Sequence, residues 1–243
     1  MQPSRRPDRP GAWRRARRAG PALGLATALV LLVTGAAACD GDSPGASGSP
    51  GPPAPPTSDQ LQAALVTTAD FTDGTTVTPS VRPDGETAVT DDPACRPVMD
   101  LLSVQATGDT PVGTASAMIE TPGGGAEVVV VLLASFPAGY ASQLLGQGLA
   151  ALPNCAAFTG KTEAGEVVAY TAATVPAPTY GEESLAVKLV TTADGQEVTA
   201  QYVIARVGDT LADFAVADTS GGPGRLPDAA LVVKQIDKLN TVK

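Results

Sequence analysis

The run Val128-Val129-Val130-Val131-Leu132-Leu133 constrains this chain most, because it is apolar at every position. A strand with one wet face alternates polar and apolar residues, so a run apolar at both parities marks a strand central to a sheet and covered on both sides. It lies within a predicted strand from Glu127 to Ser135, preceded by a second from Thr114 to Glu120. Between them, Thr121-Pro122-Gly123-Gly124-Gly125 reads as a hairpin loop. A glycine-rich phosphate cradle needs a following Lys-Ser/Thr and a helix start, and neither is present.

The rest of the pattern builds a domain around that strand. Ser58 followed by Asp59-Gln60-Leu61 predicts a helix N-cap, with Leu61, Leu65 and Val66 on the buried stripe. A polar, turn-rich stretch with weak strand character reaches Asp92. Pro93 then sits one or two residues into the start of a second helix, in which the spacing of Cys95, Val98, Met99 and Leu102 turns Cys95 inward. A third helix runs from about Tyr140 to Leu152, with Leu144, Leu145, Leu149 and Leu152 on one side. From Gly165 onward strands and tight turns take over: Val167 to Thr174, an alternating Leu185-Val187-Leu189, Val198 to Val207, and Leu211 to Ala217. Asp194-Gly195 is a hairpin signal between two of them. A last helix from about Pro227 to Asn240 turns Val232, Val233, Ile236 and Leu239 toward the sheet. Strands joined by hairpins, with helices at either end, predict a single α+β domain on a mostly antiparallel sheet. Its 185 or so residues suffice for one core and fall short of two.

The N-terminal region sets the compartment. Seven arginines precede a twelve-residue apolar stretch from Ala22 to Val33, which ends in Thr34-Gly35-Ala36-Ala37-Ala38-Cys39. A basic start, a short apolar middle and a small-residue end make an export signal over residues 1–38. The run into Cys39 resembles the lipobox of bacterial lipoproteins, which implies lipidation of Cys39 and anchoring to the outer face of the cell membrane. Ala36 stands where leucine is usual, and Ala36-Ala37-Ala38 also fits ordinary signal peptidase. Residues 19 to 39, uncharged throughout, are also long enough for an uncleaved span. The odd cysteine count favours lipidation: with Cys39 acylated, Cys95 and Cys155 remain as one disulfide pair in an oxidising compartment. Residues 39–57, rich in Gly, Ser, Pro and Ala, read as a disordered tether ahead of the domain at 58–243. Asp40 and Asp42 lack the further ligands at fixed spacing that a calcium loop needs.

Charge and composition exclude several activities. Seven of the 16 basic residues and one of the 25 acids precede residue 39, leaving 9 basic against 24 acidic residues and a formal charge of −15. Such a surface repels nucleic acid and anionic headgroups alike, so membrane attachment falls to acyl chains. The chain has no histidine. Ser-His-Asp and Cys-His nucleophile systems and histidine-ligated zinc are thereby excluded, and no cofactor or metal is expected. Glu182-Glu183 read as a charged turn with Ser184 entering the strand; adjacent on a strand they would point to opposite faces, so they are expected to share no site. Asp91-Asp92 are expected to favour the dipole of the second helix. Tyr140, Tyr170, Tyr180 and Tyr202 are expected to pack in the core or on a sheet face rather than to line a pocket.

Several short runs carry a family likeness. Pro93-Ala94-Cys95-Arg96-Pro97, Leu152-Pro153-Asn154-Cys155-Ala156-Ala157-Phe158, Tyr180-Gly181-Glu182-Glu183-Ser184 and Arg206-Val207-Gly208-Asp209 together resemble the extracellular sensor domain of PknH-type mycobacterial Ser/Thr kinases and its free-standing lipoprotein relatives. The resemblance spans about Ser58 to Lys243. It implies a twisted sheet with helices packed beside it and a cleft for an unidentified ligand. Kinase relatives carry two disulfides, whereas this domain has cysteines for one, and no ligand-contact residue carries over. Two functions from different classes are expected: a lipid-anchored binding or sensing module that is not an enzyme, or a structural lipoprotein docking to an envelope protein. A hydrolase built on paired carboxylates has no supporting spacing.

Overall fold

The computed structural model describes residues 53–80, 89–104, 111–162, 165–193 and 195–242. Cys39, the export signal and residues 39–52 of the tether lie outside them. The described residues contain eight strands, β1 Thr76–Ser80, β2 Gly113–Glu120, β3 Glu127–Ser135, β4 Ala157–Lys161, β5 Val167–Thr174, β6 Glu183–Ala193, β7 Gln196–Val207 and β8 Thr210–Asp218. They form one sheet in the order β1-β2-β3-β8-β7-β6-β5-β4, and every neighbouring pair is antiparallel. Four α-helices accompany it: α1 Ser58–Ala64, α2 Arg96–Leu102, α3 Tyr140–Ala151 and α4 Ala229–Leu239. The expected α+β fold on an antiparallel sheet is the fold observed.

β3 sits inside the sheet and serves both of its faces. Val129, Val131 and Leu133 enter a core shared with α1 and α4, while Leu132 and Ala134 enter a second core shared with α2 and α3. The six-residue apolar run is thus used at both parities. Each such side chain fully removed from water contributes ~1.5–3 kcal/mol, and Val131 and Leu133 are completely buried.

The helices depart from expectation in instructive ways. Thr57, not Ser58, caps α1: its hydroxyl accepts from Gln60 N while the Gln60 side chain accepts from Thr57 N. Ser58 is freed to accept from Thr114 N at the start of β2. Pro56 joins the same corner, its carbonyl accepting from the Ser135 hydroxyl. α2 begins at Arg96 with Pro97 in its first turn, so Pro97 rather than Pro93 opens the helix. Cys95 caps it and is buried, as the spacing required.

In α3 the buried face is Ala141, Leu144, Leu145 and Gly148, and Leu149 is half exposed. Gly148 takes the inward position because a Cβ there would collide with the Leu101 side chain of α2. The two helices approach closely at that point. In α4, Val233 is likewise half exposed, and the inward position beside Val232 and Ile236 belongs to Gln235. β4 escaped the sequence reading altogether. It is five residues long, with only Phe158 and Gly160 facing inward. The β6–β7 hairpin closes with Ala193 opposite Gln196; Asp194 itself lies outside the described residues.

Candidate functional site

A cleft of about 210 Å³ opens between α4 and the sheet, at the end that carries the β2–β3 hairpin. Its floor is a row of three side chains on neighbouring strands, Ile119 of β2, Val129 of β3 and Val216 of β8, paired in register. Phe71 and Leu231 complete the apolar lining. Around the mouth stand Asp73, Thr75, Thr121, Arg225, Asp228 and Lys234. An apolar floor with a few convergent polar groups is the usual form of a small-molecule site. Ala230, at the first turn of α4, adds little bulk and leaves the mouth open. Two other depressions are less suited. One of about 390 Å³ is walled mainly by the glycine turn and Glu120, Glu127 and Thr219. The other is a shallow trough along the outer side of α4.

One wall of the cleft is the segment 65–75, which α4 holds by three consecutive-turn side chains. Gln235, completely buried, accepts from Val66 N at 2.9 Å and donates to the Ala64 carbonyl at 2.8 Å. Its amide thereby satisfies two backbone groups that no helix or strand pairs. Lys234 donates to the Asp70 carbonyl and lies 5.3 Å over the Phe71 ring. Lys238 forms an ion pair with Asp70 at 2.8 Å. The Lys238 bond holds the Asp70 carboxyl down at about 2; burial opposes this, and bonds from Thr67 assist it.

Each charged group at the mouth has a local duty. Asp228 caps α4, accepting from Ala230 N at 2.7 Å. Arg225 Nε donates to both oxygens of Glu127 at 3.0 and 2.9 Å. Asp73 accepts from Thr75 N at 3.0 Å, and the Thr75 hydroxyl and backbone hold its carboxyl below the ordinary aspartate range.

The remaining expected residues lie elsewhere. Cys95 and Cys155 are disulfide-bonded with α-carbons 5.3 Å apart, tying α2 to the segment after α3. Glu182 and Glu183 were expected to share no site, yet both contact one guanidinium, with Glu182 2.6 Å and Glu183 3.3 Å from Arg206. Strand alternation does not apply to them, because β6 begins at Glu183 and Glu182 still belongs to the turn. Arg206 lowers the Glu183 pKa, and Glu183 in turn raises that of Arg206. Gly181 allows this turn its form. It has φ +60°, and a Cβ there would collide with the Arg206 carbonyl. The runs Tyr180–Ser184 and Arg206–Asp209, distant in sequence, therefore meet as one hydrogen-bonded corner, which Asp209 extends by accepting from Gly139 N.

Asp91 pairs with Lys161 at 2.7 Å, while Asp92 accepts from Ala94 N just before the second helix. Tyr170 stacks on Phe158 and Tyr140 on Phe136; none of the four tyrosines lines the cleft. Burial raises the Tyr170 pKa. Among the described residues there is no group of three or more Cys, Asp or Glu placed to hold a metal, and no helix long and apolar enough to cross a membrane. Lys234, Arg225 and Phe71 were not singled out by sequence reasoning, since nothing local joins segments so far apart.

Comparison with known proteins agrees with the likeness seen in the short runs. No curated protein matches the chain. Among solved structures, the extracellular domain of PknH from Mycobacterium tuberculosis superposes with a TM-score of 0.52 at 15% identity, covering 77% of this chain and 98% of that one. The fold is shared. The family model of the PknH-like extracellular domain matches residues 52–237, more than half of the chain, and the protein thus belongs to the PknH-like extracellular domain family.

Proposed function

We propose that this chain is a lipid-anchored, extracytoplasmic sensor-like module that binds a small molecule in the α4 cleft without transforming it. The observation that carries this reading is a cleft of about 210 Å³ that descends from a polar mouth to the buried apolar row Ile119–Val129–Val216. An apolar floor reached past a few convergent polar groups is the usual form of a small-molecule site. Membership of an extracellular domain family supports the extracytoplasmic placement, and the lipobox-like run ending at Cys39 supports the anchor.

A carboxylate-pair hydrolase is the rival that the cleft itself raises, because Asp73 and Asp228 both stand at its mouth. Such an enzyme needs one carboxyl with a raised pKa to serve as acid. Asp73 is shifted the other way, and Asp228 is spent on the helix cap. Docking to an envelope protein through a flat apolar patch has less support, since the exposed Val89, Val112, Met118, Leu149, Val167 and Val233 are spread over β2, β5, α3, α4 and the segments before α2 and β2.

Two measurements test the proposal. Mass spectrometry of the N-terminal peptide is expected to show an acylated Cys39; an unmodified Cys39 in a released protein would overturn the anchor. Thermal unfolding against a small-molecule panel is expected to find compounds that raise Tm with concentration. The variant Ala230→Trp fills the mouth from an exposed helical position and is expected to abolish that shift. Stabilisation that survives Ala230→Trp would place binding outside the cleft.

A further inference from the structure

We infer that the ligand of the cleft is a small monocarboxylic acid, its apolar body on the Ile119–Val129–Val216 floor and its carboxylate on Lys234; this rests on reading the cleft as a binding site. The charges at the mouth differ in what they have left to offer. Asp73, Asp228 and Arg225 each meet a complement inside the protein, in Thr75, Ala230 N and Glu127. Asp70, on the wall behind them, is taken by Lys238 and Thr67. Lys234 is the exception. An ammonium has three donors, and this one meets a backbone carbonyl and the face of a ring. Among the described residues no carboxylate lies within 4 Å of it. Asp73, at the same mouth, acts on Lys234 through space without pairing with it; what the mouth lacks is therefore a carboxylate bonded to Lys234, which would make a charge-assisted bond about twice as strong as a neutral one.

Size and charge narrow the class further. A volume of about 210 Å³, at about 30 Å³ for each water-sized group, holds on the order of seven non-hydrogen atoms. The apolar row selects hydrocarbon for that body. Asp73 and Asp228 place two negative charges on the same rim, which disfavours a phosphate dianion and leaves the singly charged carboxylate.

The test uses the full chain in lipid nanodiscs at pH 7, with hexanoate, hexylammonium and hexanol as probes of equal body length. Calorimetry and ligand-observed NMR are expected to show hexanoate binding at least tenfold more tightly than the other two. Lys234→Gln, which keeps a donor for the Asp70 carbonyl, is expected to bring hexanoate down to the level of hexanol with Tm retained. If Lys234→Gln fails to fold, Lys234→Arg, with the charge preserved, is expected to retain the preference for hexanoate, and loss of that preference would overturn the inference. Equal binding of hexanoate and hexanol to the wild type would overturn the carboxylate assignment while leaving the cleft as a binding site. Hexanoate binding that persists in Ala230→Trp, or absence of binding by all three probes, also overturns it. The broader reading depends separately on the thermal-unfolding screen.

Discussion

The two faces of the sheet are closed by different means. On one, α2 and α3 meet through the Leu101–Gly148 contact, and a disulfide locks α2 to the segment beyond α3. On the other, α4 holds the segment 65–75 through Gln235, Lys234 and Lys238, and beside those links the cleft opens. The first face is fixed by a covalent bond and steric fit. The second depends on hydrogen bonds and an ion pair, which break and re-form within the native state and yield first to local opening. A cleft bordered by reversible links can adjust its wall more readily than the stapled face on the other side of the sheet.

The largest expected effect comes from unlocking the frame. Replacing both Cys95 and Cys155 by Ser opens a loop of 60 residues, for which chain entropy predicts a loss of about 4 kcal/mol. Urea unfolding monitored by circular dichroism is the measurement. A loss below about 1 kcal/mol would show that packing alone fixes this face. Next comes Gln235→Leu, which removes partners from Ala64 O and Val66 N in a fully buried place. The expected cost is about 3 kcal/mol, since each buried backbone group left unpaired costs roughly 1–3 kcal/mol. Hydrogen exchange should speed up at residues 64–71 before it does in α2 and α3. Uniform acceleration over both faces would erase the contrast between them.

Gly148→Ala probes the steric fit directly. Overpacking against Leu101 is expected to cost about 1–2 kcal/mol, after the gain in helix propensity that alanine brings. Pairing it with Leu101→Ala should give a double variant more stable than the two single losses predict. Strict additivity would mean that the two residues do not compete for the same space.

How far the sequence reveals each face follows the same division. Apolar runs and alternation locate β2, β3, β5, β6, β7 and β8 closely, because a strand's period shows directly in its side chains. The cysteine count points to the staple. Hydrophobicity misplaces Leu149 and Val233, since the inward positions they seem to claim go to a glycine and a glutamine. Gly148 is chosen for closeness and Gln235 for hydrogen bonding, and an apolar stripe registers neither. β4 stays hidden because Gly160 supplies no side chain to mark its inner face. The cleft is the least legible part. Phe71 and Asp73, Thr121, and Arg225 and Lys234 come from three distant stretches of the chain, and only the antiparallel register and the path of α4 bring them together.

The smallest expected effect, and the sharpest for the reversible face, concerns Asp70. Its carboxyl titrates at about 2 in the folded protein against 3.8 ordinarily. A carboxyl with a depressed folded pKa contributes stability that is fully present above 3.8 and is lost as pH falls toward 2. The shift corresponds to at most about 2.5 kcal/mol, and partial exposure of the Lys238–Asp70 pair brings the expected figure nearer 1 kcal/mol. Asp70→Asn should therefore destabilise the protein by about that amount at pH 7. At pH 2 to 2.5 most of the difference from the wild type should vanish, because the pH is then well below the unfolded value of 3.8 and close to the folded value of about 2. Lys238→Met should give the same pH-dependent difference, and 1 M salt should shrink both. The measurement is urea unfolding of the three proteins at matched pH. A difference as large at pH 2 as at pH 7 would mean that Asp70 holds segment 65–75 through its hydrogen bonds to Thr67 alone, and that the ion pair adds nothing to the wall of the cleft.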